Sequence, residues 1–140
     1  MDRKAIMDVK VEFNGPVQRL SGENAQVIMI PFGGTVSGEI FSGIVEPCGV
    51  DTQVVNAAGV RHMSARYMLT GRDRDGSEAR IYVENNGWFQ GDDLPKPFVT
   101  VPAFYTDSAA LAKYLHSSRF TGEGSMEDDG LHIRFYEIGR

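Results

Sequence analysis

The stretch RHMSARYMLT, residues 61–70, sorts its side chains into two faces with a period of two residues. The odd-numbered positions are mostly apolar (Arg, Met, Ala, Tyr, Leu), and the even-numbered positions are mostly polar (His, Ser, Arg, Met, Thr). Such alternation is typical of a β-strand with one buried face. The segment therefore predicts a strand, and its two faces raise the main functional question, which is what each of them contacts.

Segments on both sides repeat this pattern. Alternating or β-branched runs occur at residues 9–13, 25–30, 35–45, 52–56, 79–84, 98–105 and 131–138. Turn-forming residues separate many of these runs, including Ala58-Gly59 and Asp75-Gly76, and we interpret Pro47-Cys48-Gly49 as another turn. Glycines within the runs, such as Gly38 and Gly43, indicate bulges or tight bends.

One helix is predicted, in the C-terminal half. Asp107 or Ser108 can cap its first turn. Leu111, Tyr114 and Leu115 then lie at i, i+3 and i+4 on one face. We expect this helix to end near residues 116–118.

Seven or eight short strands, or more, with hairpin-length links and one late helix predict a mainly β protein. We expect a single domain over residues 1–140, folded as an antiparallel closed β-barrel, because closure removes the exposed edges that an open sheet would leave. A chain of 140 residues has enough length to bury such a core.

Composition excludes several classes of partner. The net charge is -5 and the pI about 5.1, which argues against binding to nucleic acid or to an anionic membrane. No apolar run approaches the ~20 residues that span a bilayer. The N-terminal residues lack an apolar signal core, so we expect a cytoplasmic protein.

The residues that most often hold metals or perform covalent chemistry are scattered. His62, His116 and His132 lie far apart, and we interpret them as ordinary surface or pocket residues rather than as a zinc site. Cys48 is the single cysteine, so no internal disulfide forms, and no activating partner is visible beside it. Phosphate-binding glycine motifs and the nucleophile elbow are absent. We therefore expect no metal and no cofactor.

The two faces of the strands leave two interpretations open. In the first, the apolar faces fill the barrel and the faces with Arg, His, Tyr and Glu meet solvent. In the second, the polar faces line a ligand cavity, and the apolar faces are covered by the helix or by another subunit. Periodicity favours the first interpretation.

A set of short motifs in a fixed order carries a family resemblance. The motifs are GGTVSG (33–38), FSGIV (41–45), GVD (49–51), ARYML (65–69), IYVEN (81–85), PAF (102–104), FTGEG (120–124) and IRFYE (133–137). Together, over residues 4–138, the chain resembles the bacterial family of uncharacterised proteins called DUF3237 or UPF0311.

The resemblance implies a small closed barrel similar to allene oxide cyclase and dirigent proteins. It further implies a pocket for a phenolic or cyclic enone metabolite. We expect a cofactor-independent lyase or isomerase that works by proton transfer or elimination. The alternatives are a non-catalytic barrel that binds a small molecule and a structural subunit.

The resemblance also selects site residues. Among those matching the family pattern, Arg66 is expected to hold a carboxylate or phenolate, and Asp51 to act as general base or to orient Arg66. Tyr82 is expected to donate to a developing enolate oxygen. His62, on the same face as Arg66 by its even spacing, is the candidate for proton transfer near neutral pH.

Substrate contacts are expected from three further positions in the matching motifs, Asn85, Glu84 and Tyr67. Asn85 is also a candidate for fixing a turn at Asn86-Gly87. The chain departs from the family pattern after residue 98, because Val99 stands where the family often has Arg and Tyr105 where it has an acid. Loss of that ion pair is expected to make the pocket more apolar.

Assembly into a homo-oligomer, a dimer or trimer, is expected on surface grounds. One helix cannot cover the outside of a barrel. We expect apolar area near a long loop from four aromatic residues, Trp88, Phe89, Phe98 and Phe104.

Overall fold

Nine antiparallel strands and one helix form the part of the chain that the computed structural model describes, residues 3–117 and 119–139. In chain order they are β1 (Met7–Phe13), β2 (Gln18–Ser21), β3 (Ala25–Ser37), β4 (Phe41–Asn56), β5 (Val60–Asp73), β6 (Glu78–Gln90), β7 (Phe98–Thr106), α1 (Ala109–Leu115), β8 (Phe120–Glu127) and β9 (Gly130–Glu137). The predicted mainly β class is confirmed.

The sheet closes on itself through its first strand. The strand order is β1-β9-β8-β7-β6-β5-β4-β3-β2, and β1 also pairs with β3. Val9, for example, lies opposite Ile133 of β9 on one side and Val36 of β3 on the other. Eight strands therefore make the closed barrel that the sequence predicts, and β2 is an additional strand paired with β3.

Several strands are longer than predicted, because residues interpreted as turns lie inside strands. The prediction of a turn at Pro47-Cys48-Gly49 is wrong: β4 runs through these residues, and its register with β5 shifts between Val45 and Val50. The turn expected at Asn86-Gly87 is also wrong, but here β6 continues without a bulge, because Ser64 and Met63 of β5 pair with these two residues in unbroken register. A bulge bends a strand without ending its pairing, so turn-forming residues can occur inside it.

In β3, beside the bulged residues of β4, one position requires glycine. The register of β3 with β4 shifts between Phe32 and Gly34, and Gly34 has a φ of 135°. A Cβ at Gly34 would lie 1.9 Å from the carbonyl oxygen of Lys10 in β1. The pairing that closes the barrel thus brings two backbones together where no side chain fits.

The helix lies at the end of the barrel where β5 ends. Ser108 caps it by accepting a hydrogen bond from the amide of Leu111, and its hydroxyl donates to Asp73 Oδ2 at 2.9 Å. His116 is the C-cap, within the predicted end, whereas Ser118 lies outside the described residues. Within the described ranges, no helix has the length and apolar character needed to cross a bilayer.

Aromatic side chains fill this end of the barrel. Phe104 makes edge-to-face contacts with Phe135 and Phe120, with ring centroids 5.0 and 5.4 Å apart. Phe98 and Phe104 are buried, so neither offers the surface expected for assembly, whereas Trp88 is 58% exposed. A filled core at the helix end leaves the opposite end of the barrel as the place for a cavity.

Candidate functional site

The odd-numbered side chains of β5 and β6 point into the barrel. The interior contains a cavity of about 60 Å³ at the end away from the helix. Its lining consists of Val11, Phe13, Phe32, Asp51, Met63, Ala65, Tyr67, Asn85, Phe98, Thr100, Leu131 and Ile133. The apolar faces therefore fill the barrel and the polar faces meet solvent, as in the first interpretation. In addition, the inward face carries a few polar side chains, and these meet at the cavity.

Strand register brings these polar groups together. Asp51 of β4 lies opposite Ala65 of β5, and Ala65 lies opposite Asn85 of β6. Neighbouring strands are about 4.8 Å apart, so Asp51 and Asn85 flank the small side chain of Ala65. Tyr67, two residues beyond Ala65, points to the same face. Three residues from three strands thus face one cavity.

Their polar atoms lack partners within the described protein. Asp51 Oδ1, Tyr67 Oη, Asn85 Oδ1 and Thr100 Oγ1 are inaccessible to solvent and have no hydrogen-bond partner. Buried polar groups are nearly always paired, because leaving one unpaired costs about 1–3 kcal/mol. Four such atoms at one cavity are typical of a site that a polar ligand completes.

Among the described residues, a hydrogen-bond donor reaches only one oxygen of the Asp51 carboxylate, Oδ2. Gln53 Nε2 donates to Asp51 Oδ2 at 2.8 Å, and Arg61 Nη1 donates to Gln53 Oε1 at 2.8 Å. Burial raises the pKa of Asp51, and the hydrogen bond from Gln53 and the charge of Arg61 oppose this only in part. Burial and the nearby Asp51 charge also raise the pKa of Tyr67, so its hydroxyl stays protonated.

Three residues of this arrangement were not predicted: Gln53, Arg61 and Thr100. Arg61 reaches outward to Asp92 Oδ1 at 3.3 Å, so a chain of polar contacts links the rim of the barrel to Asp51. The i, i+2 spacing of Asp51 and Gln53 was a usable signal, since such residues share a strand face.

A wider cleft of about 900 Å³ lies at the mouth above the cavity. The two spaces share five lining residues, Phe13, Asp51, Met63, Phe98 and Leu131. Residues 92–97 form one wall of the cleft, and Leu94 in that segment packs against the core. A ligand can therefore extend from the deep cavity into the cleft.

The other four predicted site residues lie on the outer face of the barrel. Arg66 is an exposed residue whose Nη2 is 3.0 Å from Glu84 Oε1. His62 Nε2 is 3.0 Å from Asn86 Oδ1, and its ring stacks on Trp88. The expectation that Arg66 and Asp51 share one pocket is corrected, because alternating side chains place them on opposite sides of the sheet.

Tyr82 is the fourth, and its ring stacks on that of Tyr105 with centroids 6.5 Å apart. The seven predicted residues thus form an interior group of Asp51, Tyr67 and Asn85 and an outer group of Arg66, Tyr82, His62 and Glu84. Catalytic roles for the outer group stay a prediction and would require chemistry at the barrel surface.

Known proteins place the chain in a family. The family model described as "Protein of unknown function (DUF3237)" matches residues 3–138. The chain belongs to the DUF3237 family. A UPF0311 protein of Clostridium acetobutylicum is 34% identical over 119 residues, which cover 75% of this chain and 72% of that protein. The resemblance drawn from the motifs is confirmed.

Solved structures share the DUF3237 barrel. A protein of unknown function from Clostridium acetobutylicum superposes with a TM-score of 0.76 at 29% identity, covering 99% of this chain and 100% of the other. A structure described as an enzyme from Penicillium herquei superposes with a TM-score of 0.66, covering 98% and 93%. Its 19% identity makes this a likeness of fold alone.

A second group of charged residues in this DUF3237 barrel lies on the outer face of β1 and β9. His132 contacts Asp8 Oδ1 through Nδ1 at 2.8 Å and Asp129 Oδ1 through Nε2 at 2.7 Å. Arg134 binds Asp8 and Glu127. The Arg134 hydrogen bond holds the pKa of Glu127 at about 2. The acids here are already matched by cations, so the group fits a structural role.

Stability should depend on pH through His132. Its hydrogen bonds to Asp8, then Asp129, favour the imidazolium and raise its pKa in the folded state. That stabilisation is complete below the ordinary value of 6.5 and is lost as pH rises through the folded-state pKa. At about pH 6, His132→Gln should melt about 3 °C below the wild type. The gap should shrink by about pH 9, and a constant gap in thermal melts would contradict this.

Proposed function

We propose that this protein binds a small cyclic enone or phenolic metabolite inside its barrel and moves a proton on it, as a cofactor-independent isomerase or lyase. The observation that carries the proposal is the buried, unpartnered Oδ1 of Asp51 in a mostly apolar cavity. Burial raises the pKa of this carboxyl, and a carboxylate whose pKa is raised is a stronger proton acceptor.

The proton transfer uses groups that face the cavity. Asp51 Oδ1 takes a proton from a carbon next to the substrate carbonyl, and the C–H electrons form a C=C bond while the negative charge moves to oxygen. The protonated Tyr67 hydroxyl donates to that oxygen, and the Asn85 amide offers a second polar contact.

Two outcomes complete the reaction with balanced atoms. In an isomerase, the protonated Asp51 returns its proton to another carbon of the conjugated system. In a lyase, a leaving group departs from the β-carbon with its bonding electrons, and Asp51 later releases its proton to solvent. The mostly apolar lining strengthens the electrostatic contacts in either case.

Solvent isotope exchange tests this proposal without knowledge of the natural substrate. We expect the wild-type protein to accelerate deuterium incorporation next to the carbonyl of 2-cyclohexen-1-one in D₂O, followed by proton NMR. Perturbation of protein resonances by the ketone without any exchange would overturn the catalytic proposal in favour of a binding barrel. Loss of exchange in Arg66→Ala alone would move the site to the outer face.

Assembly and location belong to the same proposal. We propose a homo-oligomer, a dimer or trimer, supported by exposed side chains on the outer face of β6 and β7: Trp88, Val99, Val101 and Tyr105. Light scattering that reports a monomer at ~10 μM would contradict it. A cytoplasmic location is supported by the exposed, unpaired thiol of Cys48, which reducing conditions preserve.

A further inference from the structure

The charge of the interior site has a consequence for which ligands it accepts. The deep cavity is lined by one carboxylate, that of Asp51, and by no Lys, Arg or His among the described residues. Arg66, the residue expected to hold an acidic substrate, lies outside the barrel in contact with Glu84. An anionic ligand head would therefore meet a carboxylate with no cation lining the same cavity.

The nearest cations offset the charge of Asp51 only in part. Arg61 is bound to Gln53 and Asp92 and lines neither the cavity nor the mouth cleft. Lys96 lines the cleft together with Asp92 and Asp93. The acids at the rim thus outnumber its lysine, and an approaching anion is disfavoured there as well.

The hydrogen-bonding groups in the cavity fit a neutral oxygen. Tyr67 and Thr100 carry hydroxyls that can donate, and Asn85 carries an amide that can donate and accept. All three have a buried oxygen without a hydrogen-bond partner in the described protein. A carbonyl or hydroxyl oxygen satisfies them without bringing a second negative charge next to Asp51.

The sizes of the two spaces indicate which part of a ligand each can hold. A cavity of about 60 Å³ is smaller than the ~150 Å³ cavity that holds benzene, so a ring does not fit in the deep part alone. The adjoining cleft of about 900 Å³ has room for it, between residues 92–97 and Met126.

We propose that the site selects uncharged ligands, with a carbonyl or hydroxyl head in the deep cavity and an apolar ring in the mouth cleft, and that Asp51 excludes carboxylic acids. This deepens the proposed function and rests on it for the place of binding. The raised pKa of Asp51 adds that discrimination against acids should weaken as the solution is acidified.

A nearly isosteric pair of ligands tests the selection. Acetophenone and benzoate share a phenyl ring and a carbonyl carbon, and they differ in a methyl group against a charged oxygen. At about pH 8 we expect wild-type protein to bind acetophenone at least about tenfold more tightly than benzoate in NMR titrations. Equal or tighter binding of benzoate, or no binding of either ligand, would overturn the proposal.

Variants locate the source of the discrimination. Asp51→Asn should reduce the preference for acetophenone to less than about threefold, because it removes the buried charge and keeps the shape. Asp75→Asn removes the same charge from the exposed turn between β5 and β6, which lines neither the cavity nor the cleft, and should keep the preference. An unchanged preference in folded Asp51→Asn would contradict the inference, and the wild-type comparison stands by itself if that variant fails to fold.

The two proposals fail in different ways. Selective binding of acetophenone without isotope exchange would remove the catalytic function and leave the charge selection intact. Isotope exchange together with tight benzoate binding would leave the catalytic function intact and remove the charge selection.

Discussion

The Asp51→Asn variant is expected to lose about 100-fold of the isotope-exchange rate, because an amide cannot accept the proton that the carboxylate takes from carbon. Its fold should survive, since the oxygen of an asparagine can still accept the hydrogen bond that Gln53 donates at 2.8 Å. Removing a buried charge should leave the melting temperature unchanged or raise it. Proton NMR of the ketone and a thermal melt measure the two effects.

A matched variant distinguishes loss of the Asp51 carboxylate from loss of a negative charge elsewhere in the protein. Asp75 lies in the exposed turn between β5 and β6, at the end of the barrel away from the cavity. Asp75→Asn should keep the wild-type exchange rate. A drop of less than about threefold in folded Asp51→Asn would exclude Asp51 as the proton carrier.

Gly34→Ala should lower the free energy of unfolding by about 3 kcal/mol or more. Two costs combine at this position, a backbone with a φ of 135° and a Cβ placed 1.9 Å from the carbonyl oxygen of Lys10. Relief of the clash requires β1 to move away from β3, which weakens the pairing that closes the barrel. Urea denaturation measures the loss.

Gly59→Ala is the control for the backbone cost alone. Gly59 has a φ of 81°, and nothing lies within 4 Å of the position its Cβ would take. Its replacement should cost about 1–2 kcal/mol. Equal losses in the two variants would show that the close approach of β1 contributes nothing, contrary to the geometry.

The barrel was predictable from sequence because alternation sets each strand independently of its partners. Residues 61–70 and 79–84 form strands with the apolar face inward, as their pattern indicates. The bulge at residues 47–49 was not predictable in the same way. Whether Pro47-Cys48-Gly49 turns the chain or bends a strand depends on cross-strand pairing with β5, which local composition does not specify.

The site was predictable only in part. Side chains alternate between the two faces of a strand, and this alternation separates the predicted residues that face the cavity from those on the outer surface. Tyr82 and Asn85 are three residues apart in one strand, so their assignment to one pocket already conflicted with a period of two. The position of Asp51 relative to β5, in contrast, does not follow from the spacing of residues within one strand. It depends on the register shift between Val45 and Val50, which decides that Asp51 lies opposite Ala65 and faces inward.

The pairing of the first strand with the last fixes where the barrel can be tethered. Met7, at the start of β1, lies opposite Phe135 near the end of β9, whereas Val11 and Leu131 lie further along, at the cavity. The start of β1 and the end of β9 thus lie on the side of the barrel away from the mouth. A fused partner or a sensor-chip attachment joined beyond either strand leaves the mouth unobstructed, so immobilised protein should report the same ligand affinities as protein free in solution.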